Sequence, residues 1–187
     1  MFEKEIEELK KDEKLREVID KVGEINFEWS ETNHFKNLVQ SIVYQQLAGK
    51  AAKSIWKRVK ERTEITPEQI LKNDLTGTGL SQRKISYMKD LASKFETFGD
   101  FSKMGDEEVI NELTRVKGIG KWTAEMFLMF SLKRLNIFSK GDYGLRKAIQ
   151  KLHNLPAMPK EKEIDKYAKN WAPYKTIASL YLWRWLD

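Results

Sequence analysis

Residues Leu113–Asp142 read LTRVKGIGKWTAEMFLMFSLKRLNIFSKGD, and this stretch decides the fold. Val109, Ile110, Leu113 and Val116 recur at helical spacing. The helix they imply stops at Lys117-Gly118-Ile119-Gly120, where two glycines bracket one apolar residue. Trp122, Ala124, Met126, Phe127 and Phe130 then start a second helical pattern. Glycine lets the backbone bend sharply there, because it reaches positive φ without a Cβ clash. The bend leaves N–H groups at the start of the second helix, where the macrodipole favours an anion. A phosphate fits that position, with Lys117 and Lys121 beside it.

This segment resembles the helix-hairpin-helix of the DNA base-excision glycosylase (HhH-GPD) superfamily. Asp142, 22 residues past Gly120, stands where that superfamily keeps its catalytic aspartate. Gly118-Ile119-Gly120-Lys121-Trp122-Thr123-Ala124 is most similar to the 3-methyladenine DNA glycosylase II branch, which removes alkylated purines. The resemblance runs from about Phe35 to Trp183. It implies an all-α protein of two helical lobes with an active-site cleft between them. Residues 36–133 would form a central lobe carrying the hairpin, and 1–35 with 134–187 a second one. The extra N-terminal β-sheet domain often found in this branch is not expected in a chain of 187 residues.

Composition is compatible with that expectation. Hydrophobic residues make up 41% and charged residues 33%, an ordinary soluble globular balance. The absence of cysteine excludes disulfides, zinc–thiolate sites and the four-cysteine iron–sulfur cluster of many superfamily members. Met1-Phe2-Glu3-Lys4-Glu5 has no signal-peptide core, and no apolar run nears the length of a membrane span, so an intracellular protein is expected. Net charge is +6, but residues 1–31 hold eleven acidic against six basic side chains, leaving the rest strongly basic. A basic body suits a nucleic-acid partner, and a solvated lysine-rich surface would look the same. Nothing suggests an oligomer, and a monomer is expected.

Outside the hairpin the pattern is helical throughout. Residues 2–22 form one rough stripe that Gly23 ends; Phe27 and Trp29 anchor the connection that follows. Residues 34–62 are helical with a break near Gly49. Thr66-Pro67 starts a short helix, Ser81 caps the next, and Asp106 is the expected N-cap of the first hairpin helix. Pro156 and Pro159 mark a loop, and Pro173 splits the aromatic-rich C-terminal segment.

Gln45-Gln46-Leu47 interrupts an apolar face. Read from the residues alone, the amides serve equally well to cap two adjacent helix ends. The resemblance makes this the loop that enters the DNA minor groove, with Gln46 filling the gap left by an extruded nucleotide. Gly79-Leu80-Ser81-Gln82-Arg83-Lys84 is also similar to the family, and it puts two cations in a helix first turn, where the dipole opposes them. A nearby phosphate would explain Ser81, Arg83 and Lys84 together. The resemblance further implies a monovalent cation on the backbone carbonyls of Thr114, Val116 and Ile119; no other cofactor is expected.

Cutting an N-glycosidic bond builds positive charge at C1′, and a fixed carboxylate facing that carbon stabilises the transition state most. Asp142 is the candidate, as electrostatic partner and as base towards the attacking water. It is also well placed to N-cap the helix of Leu145–Leu152, which is what the local sequence alone favours, and the two roles are compatible. Superfamily members that also nick DNA carry a lysine two residues after the second hairpin glycine and form a Schiff base with it. Here that residue is Trp122, while Lys121 lies on another azimuth, so hydrolysis without strand cleavage is expected. Alkylation at N3 or N7 makes a purine cationic, and a cation stacks well on an indole. By resemblance Trp122, Tyr143 and Trp183 line the base pocket. Met126 stands where relatives place an aromatic. His34 and His153 are too isolated for a metal site or triad, and no zinc-deaminase signature is present. The rival functions are a DNA-binding module without catalysis and a glycosylase for deaminated or oxidised bases.

Overall fold

In the computed structural model, which describes residues 2–27, 29 and 32–186, every regular element is helical and no strand occurs among those residues. The chain separates into two compact units, residues 29–132 and residues 1–28 with 133–187.

The unit of residues 29–132 contains α3 (His34–Tyr44), α4 (Gly49–Arg62), α5 (Pro67–Lys72), α6 (Gln82–Phe95), α7 (Asp106–Thr114) and α8 (Lys121–Phe130). Helix α3 packs against α4, α6 and α8, and α7 packs against α8. Phe35, Leu38, Val39, Ile42 and Val43 form the buried stripe of α3, and Phe95, Phe101 and Phe127 extend that core with edge-on or tilted ring contacts. Three caps stand where the sequence placed them or next to it. The Thr66 hydroxyl accepts the Gln69 N–H and the Ser81 hydroxyl accepts the Lys84 N–H. The expected Asp106 cap is corrected by one residue. Gly105 is the N-cap of α7, and its N–H donates to the Glu108 carboxylate at 2.6 Å, so Asp106 is the first helical residue. Without a side chain, Gly105 leaves the work to an acid at the third helical position.

The other unit contains α1 (Glu3–Leu9), α2 (Glu13–Val22), α9 (Tyr143–Leu152), α10 (Asp165–Ala168) and α11 (Lys175–Leu186). The single helix expected over 2–22 is two. Asp12 interrupts it, because its Oδ1 accepts the Leu15 N–H as the cap of α2 while its Oδ2 accepts the indole N–H of the fully buried Trp171. Helix α11 packs against α9, α2 and α1, with Leu15, Ile149, Trp171 and Leu182 at the centre of the core. Pro173, in a cis peptide with Ala172, precedes α11 as expected of a segment boundary. Among the described residues no helix is long and apolar enough to cross a membrane.

Candidate active site and nucleic-acid interface

The hairpin turn between α7 and α8 is closed by backbone bonds from Val116 N to Leu113 O and from Ile119 N to Val116 O. Gly118 takes φ +83, and a Cβ there would lie 2.1 Å from the Tyr87 ring of α6. Both facts demand glycine. Helix α6 holds the turn further along: Asp90 accepts the Lys117 N–H at 2.8 Å and the Lys94 ammonium at 2.7 Å, and Lys94 also donates to Arg115 O at 2.9 Å. Burial pushes the Asp90 carboxyl up, but the hydrogen bonds from Lys94 and from Lys117 N–H outweigh it and hold the group below the ordinary carboxylate range. Gly120 supplies no side-chain cap to the first-turn N–H groups of α8, and Lys117 and Lys121 beside them are exposed. Of the three carbonyls expected to hold a monovalent cation (Thr114, Val116, Ile119), that of Val116 also accepts the Ile119 N–H.

Beside the hairpin lies the turn that joins α3 to α4. Gln46 is exposed at its tip with φ +57, and Leu47 is 37% exposed. The Gln45 side-chain amide donates to Gly118 O at 2.8 Å, which ties this turn to the hairpin. Lys84 departs from expectation. Its ammonium donates to Val43 O at 2.7 Å, in the last turn of α3, and to Gln45 O at 2.6 Å, on the C-cap residue, whereas Arg83 is exposed. Burial, with the Arg83 charge adding to it, lowers the Lys84 pKa.

A cavity of about 540 Å³ opens between Tyr44, Gln46, Trp122, Met126 and Phe130. Trp122, Met126 and Phe130 follow one another at four-residue spacing and share a face of α8. Neither Tyr44 nor Phe130 is among the pocket residues that the sequence suggests. Phe130 lies one turn beyond Met126 on the cavity face of α8, and helical spacing is the signal for it. Trp122 is 49% exposed, unusual for an indole.

In the other unit, Asp142 caps α9. Its Oδ1 accepts the Leu145 N–H at 2.8 Å and the Trp183 indole N–H at 2.9 Å. The Gly144 Cα lies close beneath: a Cβ there would meet Asp142 Oδ1 at 3.2 Å and Trp183 Cδ1 at 3.2 Å. Tyr143 is 66% exposed next to it. Capping therefore holds the carboxylate at a helix N-terminus, in one rotamer, against an indole. The sequence assigned Trp183 to the pocket wall and did not reveal its hydrogen bond to Asp142. Among the described residues no group of three or more His, Cys, Asp or Glu is arranged to hold a metal. His34 contacts the Ser131 hydroxyl, and His153 lies beside Lys14 and Tyr167.

With this geometry in place, comparison with known proteins is direct. Residues 39–173 match the family model for HhH-GPD superfamily base excision DNA repair proteins, and the chain belongs to that superfamily. It is similar to DNA-3-methyladenine glycosylase 1 of Schizosaccharomyces pombe, 33% identical over an alignment that covers 92% of this chain and 82% of that protein. Among solved structures it is similar to the DNA-3-methyladenine glycosidase of Bacillus halodurans, with 38% identity, a TM-score of 0.84, and coverage of 96% of this chain and 88% of that one. The S. pombe 3-methyladenine DNA glycosylase in complex with abasic DNA aligns with 32% identity and a TM-score of 0.80, over 96% of this chain and 94% of that one.

Proposed function

We propose that this protein is a monofunctional DNA glycosylase that removes alkylated purines, of the 3-methyladenine and 7-methylguanine type, in base excision repair. The single observation that carries the reading is Asp142, whose Oδ1 is fixed by two N–H donors at the head of α9. Double-stranded DNA would bind the hairpin through its phosphates, at the α8 N-terminus and at Lys117, Lys121 and Arg83, with salt-sensitive affinity. Gln46, at the tip of its turn, would take the space of the extruded nucleotide.

The reaction divides into two events. The C1′–N bond of the damaged nucleotide breaks, and its electron pair leaves with the base. Because alkylation made that base cationic, the departing electrons neutralise it, and little acid catalysis is needed. The positive charge that develops at C1′ faces the Asp142 carboxylate, which stabilises it most at the transition state. Water then adds to C1′ and gives up a proton, with Asp142 as acceptor, leaving an abasic sugar. Exposed Trp122 and Tyr143 offer electron-rich faces to a cationic purine. Trp122 in place of a lysine supports hydrolysis without a Schiff base.

The test is incubation with duplexes carrying 3-methyladenine, 7-methylguanine, hypoxanthine, uracil or 8-oxoguanine, with chromatography of the released base. Release of the two methylated purines is the expected result; release of only uracil or 8-oxoguanine overturns the substrate assignment. Borohydride should trap no covalent adduct with abasic DNA, and a trapped adduct overturns the monofunctional assignment.

A further inference from the structure

We propose that Lys84 is a positioning residue rather than a phosphate ligand: it holds the Gln45–Gln46 turn from within, so that one face of α6 sets the wedge against the phosphate grip. This rests on reading Gln46 as the residue that enters the duplex. The ammonium of Lys84 reaches the carbonyls of Val43 and Gln45 at 2.7 and 2.6 Å. Those carbonyls lie in the last turn and on the C-cap residue of α3, where backbone acceptors lack intrahelical partners and the macrodipole is negative. Lys84 therefore does for α3 what a C-terminal cap residue would do, but from another helix.

The turn needs such a hold. Gln46 sits at φ +57, a conformation that costs a non-glycine residue free energy unless its surroundings impose it. Its neighbour Gln45 is pinned twice, by Lys84 at its carbonyl and by Gly118 O at its side chain. The same helix also grips the hairpin. Lys84, Tyr87, Asp90 and Lys94 follow at spacings of three, three and four residues, which is one face of α6. Tyr87 lies against Gly118, Asp90 takes the Lys117 N–H, and Lys94 takes Arg115 O. Turn and hairpin are thus registered on one rigid rod, and Gln45 closes the ring directly. A phosphate contact would oblige the Lys84 ammonium to leave two carbonyls. Burial also lowers its pKa, while Arg83 stays exposed beside it.

Salt dependence and base unstacking separate the two roles. The probe is a duplex with a tetrahydrofuran abasic analogue and 2-aminopurine in the adjoining pair, titrated with wild-type protein, Lys84→Met and Lys121→Gln over a range of salt. Losing one phosphate contact flattens the slope of log K against log salt by about 0.9, and Lys121→Gln should show this. Lys84→Met should keep the wild-type slope, bind roughly tenfold more weakly, as expected on losing a hydrogen-bonded charge, and lose most of the 2-aminopurine fluorescence rise. A flattened slope in Lys84→Met, or an undiminished fluorescence rise, overturns the proposal. If Lys84→Met does not fold, Lys84→Arg decides. It keeps the charge but does not seat one ammonium between two carbonyls, so positioning predicts a lost fluorescence rise, and phosphate contact predicts wild-type behaviour. Release of 7-methylguanine by the wild type is read separately: its absence sinks the glycosylase reading and leaves the binding comparison intact.

Discussion

Asp142 and Trp183 meet through one oxygen: the indole Nε1 lies 2.9 Å from Asp142 Oδ1, the same atom that caps α9 by accepting the Leu145 N–H. Two donors on one oxygen hold the carboxylate in place, and the held group is the one proposed to face C1′. A residue expected to stack on the base is therefore also the clamp on the acid.

Trp183→Phe separates these duties, since it keeps the ring and removes the N–H. Hydrogen bonds to charged groups contribute about 1.5–3 kcal/mol, so single-turnover excision should slow roughly ten- to hundredfold. Affinity for duplex with an abasic analogue should stay within about twofold, because phosphate contacts dominate it. An unchanged excision rate would show that the indole N–H does nothing for Asp142.

Gly144→Ala tests the same clamp from below. A methyl group there needs Asp142 Oδ1 and Trp183 Cδ1, each 3.2 Å away, to yield by a few tenths of an ångström. Alanine is the better helix residue by roughly 0.5–1 kcal/mol, which offsets the crowding. The expected outcome is a melting temperature near wild type with excision slowed about tenfold, since misplacement of a catalytic group is costly. A fully active Gly144→Ala would mean the carboxylate tolerates displacement.

The two hairpin glycines should differ in kind. Gly118→Ala places a Cβ 2.1 Å from the Tyr87 ring at φ +83, whereas a Cβ on Gly120 meets nothing within 4 Å. Backbone strain of about 1–3 kcal/mol at Gly118, before any clash, should lower its melting temperature by several degrees. Gly120→Ala should melt like wild type yet bind DNA more weakly, because its methyl stands where a phosphate approaches the α8 N-terminus. Differential scanning calorimetry paired with anisotropy titration checks both.

Much of this was legible in the sequence. The glycine bend, the Thr66, Ser81 and Asp142 caps and the break near Gly49 are local events, decided by residues a few positions apart. What escaped was tertiary. Lys84 looks like a surface cation in its own helix, and only the arrival of α3 turns it inward. Asp12 reads as one more acid in a charged helix until Trp171, 159 residues away, donates to it. Tyr44 and Trp183 are aromatic in a chain rich in aromatics, and nothing local says which edge meets a cavity or a carboxylate.

His153 adds a pH-dependent contribution to stability. Its Nδ1 accepts from the Lys14 ammonium at 3.3 Å, so the ring hydrogen sits on Nε2, which is buried without a hydrogen-bond partner among the described residues. Burial, with the Lys14 charge adding to it and Asp12 opposing, lowers the pKa. The folded state thus binds fewer protons than the unfolded state below the ordinary imidazole value of about 6.5. The contribution is complete above that value and is lost as pH falls from there toward the lower folded value. Thermal melts at about pH 7.5 and about pH 5.5 should show a smaller difference in His153→Phe than in wild type; an equal difference would assign the acid sensitivity elsewhere.

Asp142→Asn removes the carboxylate charge while keeping the shape of the side chain. The amide oxygen still accepts from Leu145 N–H and Trp183 N–H, so fold, capping and DNA affinity should survive while the negative charge at C1′ is gone. Single-turnover release of 7-methylguanine should fall by at least about a hundredfold, the scale of losing one preorganised electrostatic contact, with abasic-duplex affinity unchanged. Excision at the wild-type rate by a folded Asp142→Asn protein would mean that the Asp142 charge does not drive bond cleavage.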